Sequence, residues 1–386
     1  MTGQSVVGVD RCCGQCLRRC WFLGRLGPFI QNVCDRAPGK RVPELLSLES
    51  SELARAVAPG KADQLLTELA QVDEAVMARA ITAVGCWAIC RHDPEFPRSL
   101  SQLGDAPHCL LVRGDPDRIL DPTGLDSLVT IVGARRATSY GLTVARSLAA
   151  EAASVGLGVV SGMALGVDGA AHRGALEKGW SVAVLGSGAG RPYPTSHREL
   201  FERLSTRGAV VTELPPGAQP WRWTFPARNR IMAALSRLTV VVEAALGSGS
   251  LITAEMAMDA GREVGAVPGP VTSRQSAGTN ELIANGATLI RDGRDLLEGF
   301  AGLGLVPEQL SLPDLTPIQL ELIEVISGQS LALDSIVAGS GLEVGEALEA
   351  LSSLELEGYV EVSSAGDYSL TPAAGGVLRR MLPDGR

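Results

Sequence analysis

Residues 238–255 read LTVVVEAALGSGSLITAE. A run rich in β-branched residues, 238–244, enters a glycine-serine turn, and the turn opens an Ala/Met-rich stretch of helical length, 250–260. Short apolar runs bounded by glycine read as buried strands, and a serine just before an apolar segment reads as a helix start. The same unit recurs along the chain. Candidate strands are LVTIVGA (128–134), LGVVSG (157–162), SVAVLGSG (181–188), AVVTEL (209–214), REVGAVPG (262–269) and ATLI (287–290), with helical segments at 141–155 and 168–178 between them. Alternation at this pitch means right-handed βαβ crossovers and a mostly parallel sheet covered on both faces. The expected core is a doubly wound, Rossmann-like α/β domain over 101–305.

Such sheets bind ligands beyond the carboxyl ends of their strands. Those ends carry GARR (133–136), SGMALGVD beginning at Ser161 and Gly162, GSGAGRPYP (186–194), ELPPG (213–217), EAALGSGS (243–250) and VPGP (267–270). Each holds a glycine, which lets backbone approach a ligand closely. The turn of Ser248, Gly249 and Ser250, with Thr253 one turn on, reads either as an anion cradle on a helix N-terminus or as a serine cap at a tight turn. GSGAG is not a dinucleotide fingerprint, because Arg191, Pro192 and Tyr193 follow it where a helix should open. Asp168 and His172 stand one helical turn apart. They read as an N-cap aspartate receiving a bond from the histidine, and no spacing here supports a hydrolytic centre.

TFPARNR at 224–230 concentrates charge in a chain whose formal net charge is −9, and residues 222–237 hold four arginines and no acid. Guanidinium groups clamp phosphates, asparagine reads a base or sugar edge, and a phenylalanine face can stack on a base. Arg222, Phe225, Arg228, Asn229 and Arg230 therefore suit a flexible single strand. The competing reading puts Phe225 in the core and bridges the arginines to Glu213 or Glu243. By segment the formal charge is +1 over 1–100, −2 over 101–315 and −8 over the last 71 residues, so the middle of the chain does not repel an anion.

Residues 1–100 read as a mostly helical domain of SAM or helix-hairpin-helix type, with LARAVAP and ADQLLTELAQV as its clearest amphipathic segments. LSLP (310–313) and Pro317 mark a linker into 310–386, where three helices and a hairpin turning at Ala365-Gly366-Asp367 give a winged-helix pattern. That module has ten acidic residues and no Lys or Arg between Thr316 and Thr371. Phosphates would be repelled, so it reads as a protein-contact or regulatory element. All eight cysteines lie between Cys12 and Cys109, too clustered for a disulfide framework. Cys13 and Cys16, with Cys20 beyond, and the later cluster Cys86, Cys90 and His92 of CWAICRHD could close a tetrahedral structural zinc site, with Cys13, Cys16, Cys86 and Cys90 as the candidate ligands. Otherwise Cys86 and Cys90 are buried apolar residues and Cys13 and Cys16 free thiols. The start MTGQSVVGVD lacks the pattern of a signal peptide and no run is long enough to span a membrane, so a cytoplasmic location is expected.

Taken in order, VGARRATSYG, SGMALGVDGAAHRGAL, VAVLGSGAGRPYPTSH, TELPPGAQPWRWTFPARNRIMAALS, VVVEAALGSGSLITAEMAMDAGREVGAVPG and GTNELIANGATLI resemble the motifs of the DNA-processing protein A (DprA/Smf) family over roughly 88–295. The resemblance implies a non-catalytic protein that binds incoming single-stranded DNA in natural transformation. It further implies loading of a RecA-type recombinase with displacement of single-strand-binding protein, and homodimerisation through the α/β domain. Carried over by position, Arg135, Arg222, Phe225, Arg228, Asn229 and Arg230 form the pocket, and Ser248, Gly249, Ser250 and Thr253 form the phosphate loop. Two departures stand out: Gly247 where a basic residue is common and Gly265 where an aromatic is common, implying either a missing phosphate contact with weaker binding or its replacement by Arg191. A rival reading is a nucleotide phosphoribohydrolase on a related fold, with Glu255 presented to the sugar.

Overall fold

A computed structural model of the chain describes residues 8–36, 42–120, 127–301, 315–327, 329–363, 366–371 and 374. The linker 310–313 and Ala365 of the hairpin turn lie outside the described residues. Two compact units result, 1–288 and 289–386.

The larger unit is built on strands β1 (Trp87–Cys90), β2 (Cys109–Gly114), β3 (Leu128–Val132), β4 (Gly158–Ser161), β5 (Ser181–Val184), β6 (Ala209–Thr212), β7 (Leu238–Val241) and β8 (Glu263–Ala266), with a short β9 (Thr288–Leu289). Their spatial order is β1-β2-β6-β5-β4-β3-β7-β8-β9. β6 through β8 are parallel, whereas β1–β2 and β2–β6 are antiparallel. β3 to β7 are buried at every position, which is why they read as near-continuous apolar runs rather than alternating ones. Helices Ser139–Ser154, Val167–Lys178, Thr224–Leu235 and Gly249–Asp259 supply the crossovers. Among the described residues no helix is long and apolar enough to cross a membrane.

β1 corrects the helical reading of residues 1–100. WAIC is fully buried and pairs with β2 residue by residue, Trp87 opposite Val112 and Cys90 opposite Cys109. Four residues flanked by helices carry too little periodicity to announce a strand, and pairing with a distant partner decides it. Before β1 the chain is helical as expected, from Gly14–Arg36 to Glu74–Ala83. These helices pack Phe22, Leu26, Leu53 and Leu65 against Leu214, Trp223 and Ala227 of the α/β part.

In the smaller unit, helices Pro317–Ile326, Leu333–Ser340 and Val344–Leu356 surround Leu322, Ile336, Leu351 and Leu354. β10 (Leu331–Ala332), β11 (Val360–Val362) and β12 (Asp367–Leu370) pair in the order β10-β12-β11. This is a winged helix. Glu343, Glu346, Glu349, Glu355 and Glu357 are all exposed on or beside its third helix.

Trp223 joins the N-terminal helices to the sheet. It is 3% exposed, its indole N–H donates to the Gly27 carbonyl at 2.9 Å, and its backbone N–H donates to Gln31 at 3.2 Å. Trp223→Ala should therefore lower unfolding stability by about 3–5 kcal/mol, read by chemical denaturation, whereas Trp223→Phe, which keeps an aromatic ring but loses the indole N–H bond to Gly27, should lose less.

Candidate functional site

The chain leaves β3 toward β4 on one side and returns to β7 on the other side of β3. The loops after β3 and β7 therefore diverge, and a crevice opens between them at the carboxyl edge. A groove of about 740 Å³ occupies it, lined by the GARR loop, the loop 245–250 and one side of helix Thr224–Leu235. Of the residues anticipated from sequence, Arg135, Arg222, Phe225, Arg228, Asn229, Ser248, Gly249, Ser250 and Thr253 all border this groove.

They play different parts. Arg228 is only 5% exposed, and its guanidinium donates to the Gly162 and Val184 carbonyls at the ends of β4 and β5. It also donates to Asn229 Oδ1 at 3.1 Å and faces Asp168 at 3.7 Å. Burial pulls its pKa down to about 10, opposed by Asp168, so it stays charged at neutral pH. Asn229 in turn donates to the Gly249 carbonyl at 3.3 Å. The pair ties the strand ends to the serine loop. Ser161 and Gly162 are absent from the groove wall: Ser161 is buried and donates to the Ile131 carbonyl at 2.7 Å. A Cβ on Gly162 would fall 2.1 Å from the Arg228 guanidinium, so glycine is needed there for the arginine rather than for a ligand.

Arg230 is a correction to the pocket expected from sequence. It points away from the groove into a bidentate pair with Glu213 at 2.8 and 2.7 Å and reaches Asp105 at 2.9 Å. Burial opposes its charge, but these two carboxylates outweigh that and raise its pKa. Arg228 and Arg230 lie two residues apart on a helix, about 200° around its axis, so they cannot serve one pocket.

The groove's outward charge comes instead from Arg135, Arg136 and Arg222, all exposed. Phe225 is half-buried between Arg135, whose Cζ lies 5.1 Å from the ring centroid, and Tyr193, whose ring lies 5.4 Å away at 43°. Tyr193 and Arg136 were not foreseen. Tyr193 sits in the glycine-proline loop after β5, where an aromatic carries no periodic signal. Arg191 is exposed and does not border the groove, whereas Tyr193 of the same loop does. Gly247 has φ +74°, a conformation that disfavours any side chain.

The serine loop combines both readings open at the sequence level. Ser248 Oγ accepts from the Ser250 N–H at 3.4 Å and lies 2.9 Å from Ser250 Oγ, capping helix Gly249–Asp259. The same helix N-terminus, whose dipole favours an anion, faces the groove, although its Ser250 and Leu251 N–H groups are already held by Ser248. Glu255, the residue a hydrolase would need, is exposed on the far side and borders a different cavity with Gln31, Trp223 and Arg230.

His172 does not donate to Asp168, and Asp168 is not a cap: Gly166 stands at the N-cap position. His172 Nε2 accepts from the Met163 N–H at 3.2 Å, and Nδ1 meets Ser181 Oγ at 2.7 Å. His197 Nδ1 donates to the Met163 carbonyl at 3.1 Å. Met163 has φ +56°, and the two histidines hold this unfavourable conformation next to Gly162. Burial, with Arg228 nearby, pulls the His172 pKa down to about 3.

At the other end of the unit, Cys13, Cys16 and Cys90 come together with His92, not with Cys86. Cys86 and Cys90 are four residues apart along an extended segment, about 13 Å, too far to share one ion.

Comparison with known proteins points one way. Residues 87–301 match the family described as DNA recombination-mediator protein A, and residues 306–366 match the DprA winged helix domain. A Mycobacterium tuberculosis relative named for DNA processing (DprA) is 42% identical over 253 residues, 63% of this chain; the chain spans 65% of that relative's length. Protein Smf of Escherichia coli is 36% identical over 293 residues, covering 73% of this chain and 77% of its own. The crystal structure of DNA processing protein A from Streptococcus pneumoniae superposes with a TM-score of 0.58 at 30% identity, covering 73% of this chain and 95% of that one.

Two outcomes follow from the buried charges. Arg230→Ala strands two carboxylates and should cost about 3–5 kcal/mol of stability by urea unfolding, while Arg230→Met/Glu213→Leu should recover most of it. His172 is neutral when folded but gains a proton below its ordinary pKa of 6.5 when unfolded. Its contribution is thus whole above pH 6.5 and is lost as pH falls toward 3. The melting-temperature gap between wild type and His172→Gln should narrow steadily over that range.

Proposed function

This chain belongs to the DNA recombination-mediator protein A family, and from that premise we propose that its groove holds single-stranded DNA and that the protein acts as a recombination mediator. The observation carrying this reading is the groove at the switch point. It presents three exposed arginines, an aromatic pair and a helix N-terminus along one continuous wall. Phosphates would run past Arg135, Arg136 and Arg222 to the Ser248–Ser250 turn. A base would stack on the Phe225–Tyr193 pair, with Arg135 moving from the Phe225 face to a phosphate. Such contacts read backbone and π-faces, so binding is insensitive to sequence and sensitive to salt.

The family assignment extends the proposal to natural transformation: protection of incoming strands, loading of a RecA-type recombinase with displacement of single-strand-binding protein, and a homodimer that aligns two grooves. The acidic winged helix fits protein contact better than DNA contact, since its third helix offers carboxylates where phosphates would sit. A non-catalytic role agrees with Glu255 lying outside the groove.

Fluorescence anisotropy of a labelled dT oligonucleotide across several salt concentrations tests the reading. Arg135→Ala and Arg222→Ala should each weaken binding and flatten the salt dependence by about 0.7 in log–log slope. Tyr193→Ala should cost about 1–3 kcal/mol at every salt concentration. Arg230→Met/Glu213→Leu, folded, should bind like wild type. Equal loss in the Arg230 pair and the Arg135 variant would sink the groove assignment.

A further inference from the structure

We propose that Cys13, Cys16, Cys90 and His92 bind one zinc ion that fastens the start of the first helix to the edge strand of the sheet. The four ligand atoms all lie within 4.8 Å of one another. His92 Nδ1 is 3.4 Å from Cys13 Sγ, 3.4 Å from Cys16 Sγ and 4.0 Å from Cys90 Sγ. A tetrahedral ion with the usual zinc–sulfur and zinc–nitrogen bond lengths has S···N edges of about 3.6 Å and S···S edges of about 3.8 Å. The distances bracket the sulfur–nitrogen value, so small side-chain rotations would seat the metal.

The backbone around the cluster is assembled independently of any ion. The Ala88 N–H donates to the Gly8 carbonyl at 3.0 Å and the Cys90 N–H to the Arg11 carbonyl at 3.1 Å. Arg11 pairs with Asp93 at 3.0 Å and also with Glu95. Residues 8–13 thus lie alongside β1 and its following turn. The Cys13 N–H donates to Cys90 Sγ at 3.4 Å, a bond that favours the thiolate a metal needs. Cys13 immediately precedes helix Gly14–Arg36 and Cys16 stands in its first turn, so the helix start fixes the spacing of the two sulfurs.

The donor set selects the ion. Three thiolates and an imidazole exclude magnesium and calcium and suit zinc. Four protein ligands leave no open position, so the ion is structural. Cys16 and Cys90 are buried and Cys13 and His92 exposed, which gives an entry path from solvent. Binding converts three thiols to thiolates and releases up to three protons to solvent. Two neighbouring thiols are engaged elsewhere: Cys20 donates to the Glu213 carbonyl at 3.2 Å, and Cys86 meets the Val84 carbonyl at 3.9 Å, while buried Cys12 donates to the Cys13 carbonyl at 3.8 Å.

The test is elemental analysis of the full-length protein, purified under reductant without chelator, followed by zinc exchange for cobalt. About one zinc per chain is expected, with a tetrahedral, thiolate-rich cobalt spectrum. His92→Ala removes an exposed ligand, and should fold yet lower zinc affinity more than about tenfold and alter the cobalt bands. Cys86→Ser should retain zinc fully, and a strong chelator should lower the wild-type melting temperature but not that of Cys16→Ser/Cys90→Ser. The proposal fails if folded wild type, reduced and supplied with zinc, holds none. It fails equally if His92→Ala binds as wild type, or if Cys86→Ser loses the ion.

Discussion

The Arg228 guanidinium is the constraint on which the site depends. Few side chains could sit where it does, because the carbonyls of Gly162 and Val184 converge at the end of a parallel sheet, where strand dipoles and unpaired acceptors accumulate. A cation with several donors satisfies both at once, and Asp168 offsets its charge from the side. Everything else follows from its placement. Gly162 must lack a side chain, and the left-handed Met163 beside it is held by His172, kept neutral by burial, and by a bond from His197. Asn229 carries the same constraint to the serine loop. Exchanging the arginine for lysine would lose the planar fork that meets two carbonyls and a carboxylate together.

This explains why one short segment attracts attention in the sequence and yet only partly touches the groove. Helix Thr224–Leu235 is buried along nearly its whole length. Its arginines hold strand ends on one side and a carboxylate pair on the other. The charge that a ligand would meet is carried by Arg135 and Arg136 on a loop and by Arg222 just before the helix. The labour is divided: the scaffold arginines are fixed and desolvated, while the exposed ones keep the freedom to move toward an anionic ligand.

The fold was largely legible because parallel strands buried on both faces leave long β-branched runs. All seven such runs between 128 and 290 became strands, β3 to β9. β1 and β2 escaped because antiparallel pairing across a distance leaves no local pattern, and WAIC offers four residues only. The site was legible as a place but not as a set of roles. Glycine at the strand ends marked the edge, and the resemblance marked the residues. The competing sequence reading, arginines bridged to Glu213, holds for Arg230, but which arginine takes that part depends on helix position and on partners such as Asp105, far away in sequence. The cysteines show the same limit. Spacing singled out Cys13 and Cys16, but Cys86 and His92 differ only in where strand geometry carries them.

The two halves of the larger unit depend on one another through the same helix. Trp223, one residue before it, is locked by Gly27 and Gln31 of the first helix, and Ala227 packs into that helical core. Phe225, Arg228 and Asn229 look the other way, into the groove. The N-terminal helices therefore act as a clamp on the outer face of the groove's own wall. That makes the N-terminal region part of the site's rigidity although none of its described residues borders the groove. It also gives a physical reason for fastening its first helix to β1, at the opposite end of the helix from the Trp223 contact.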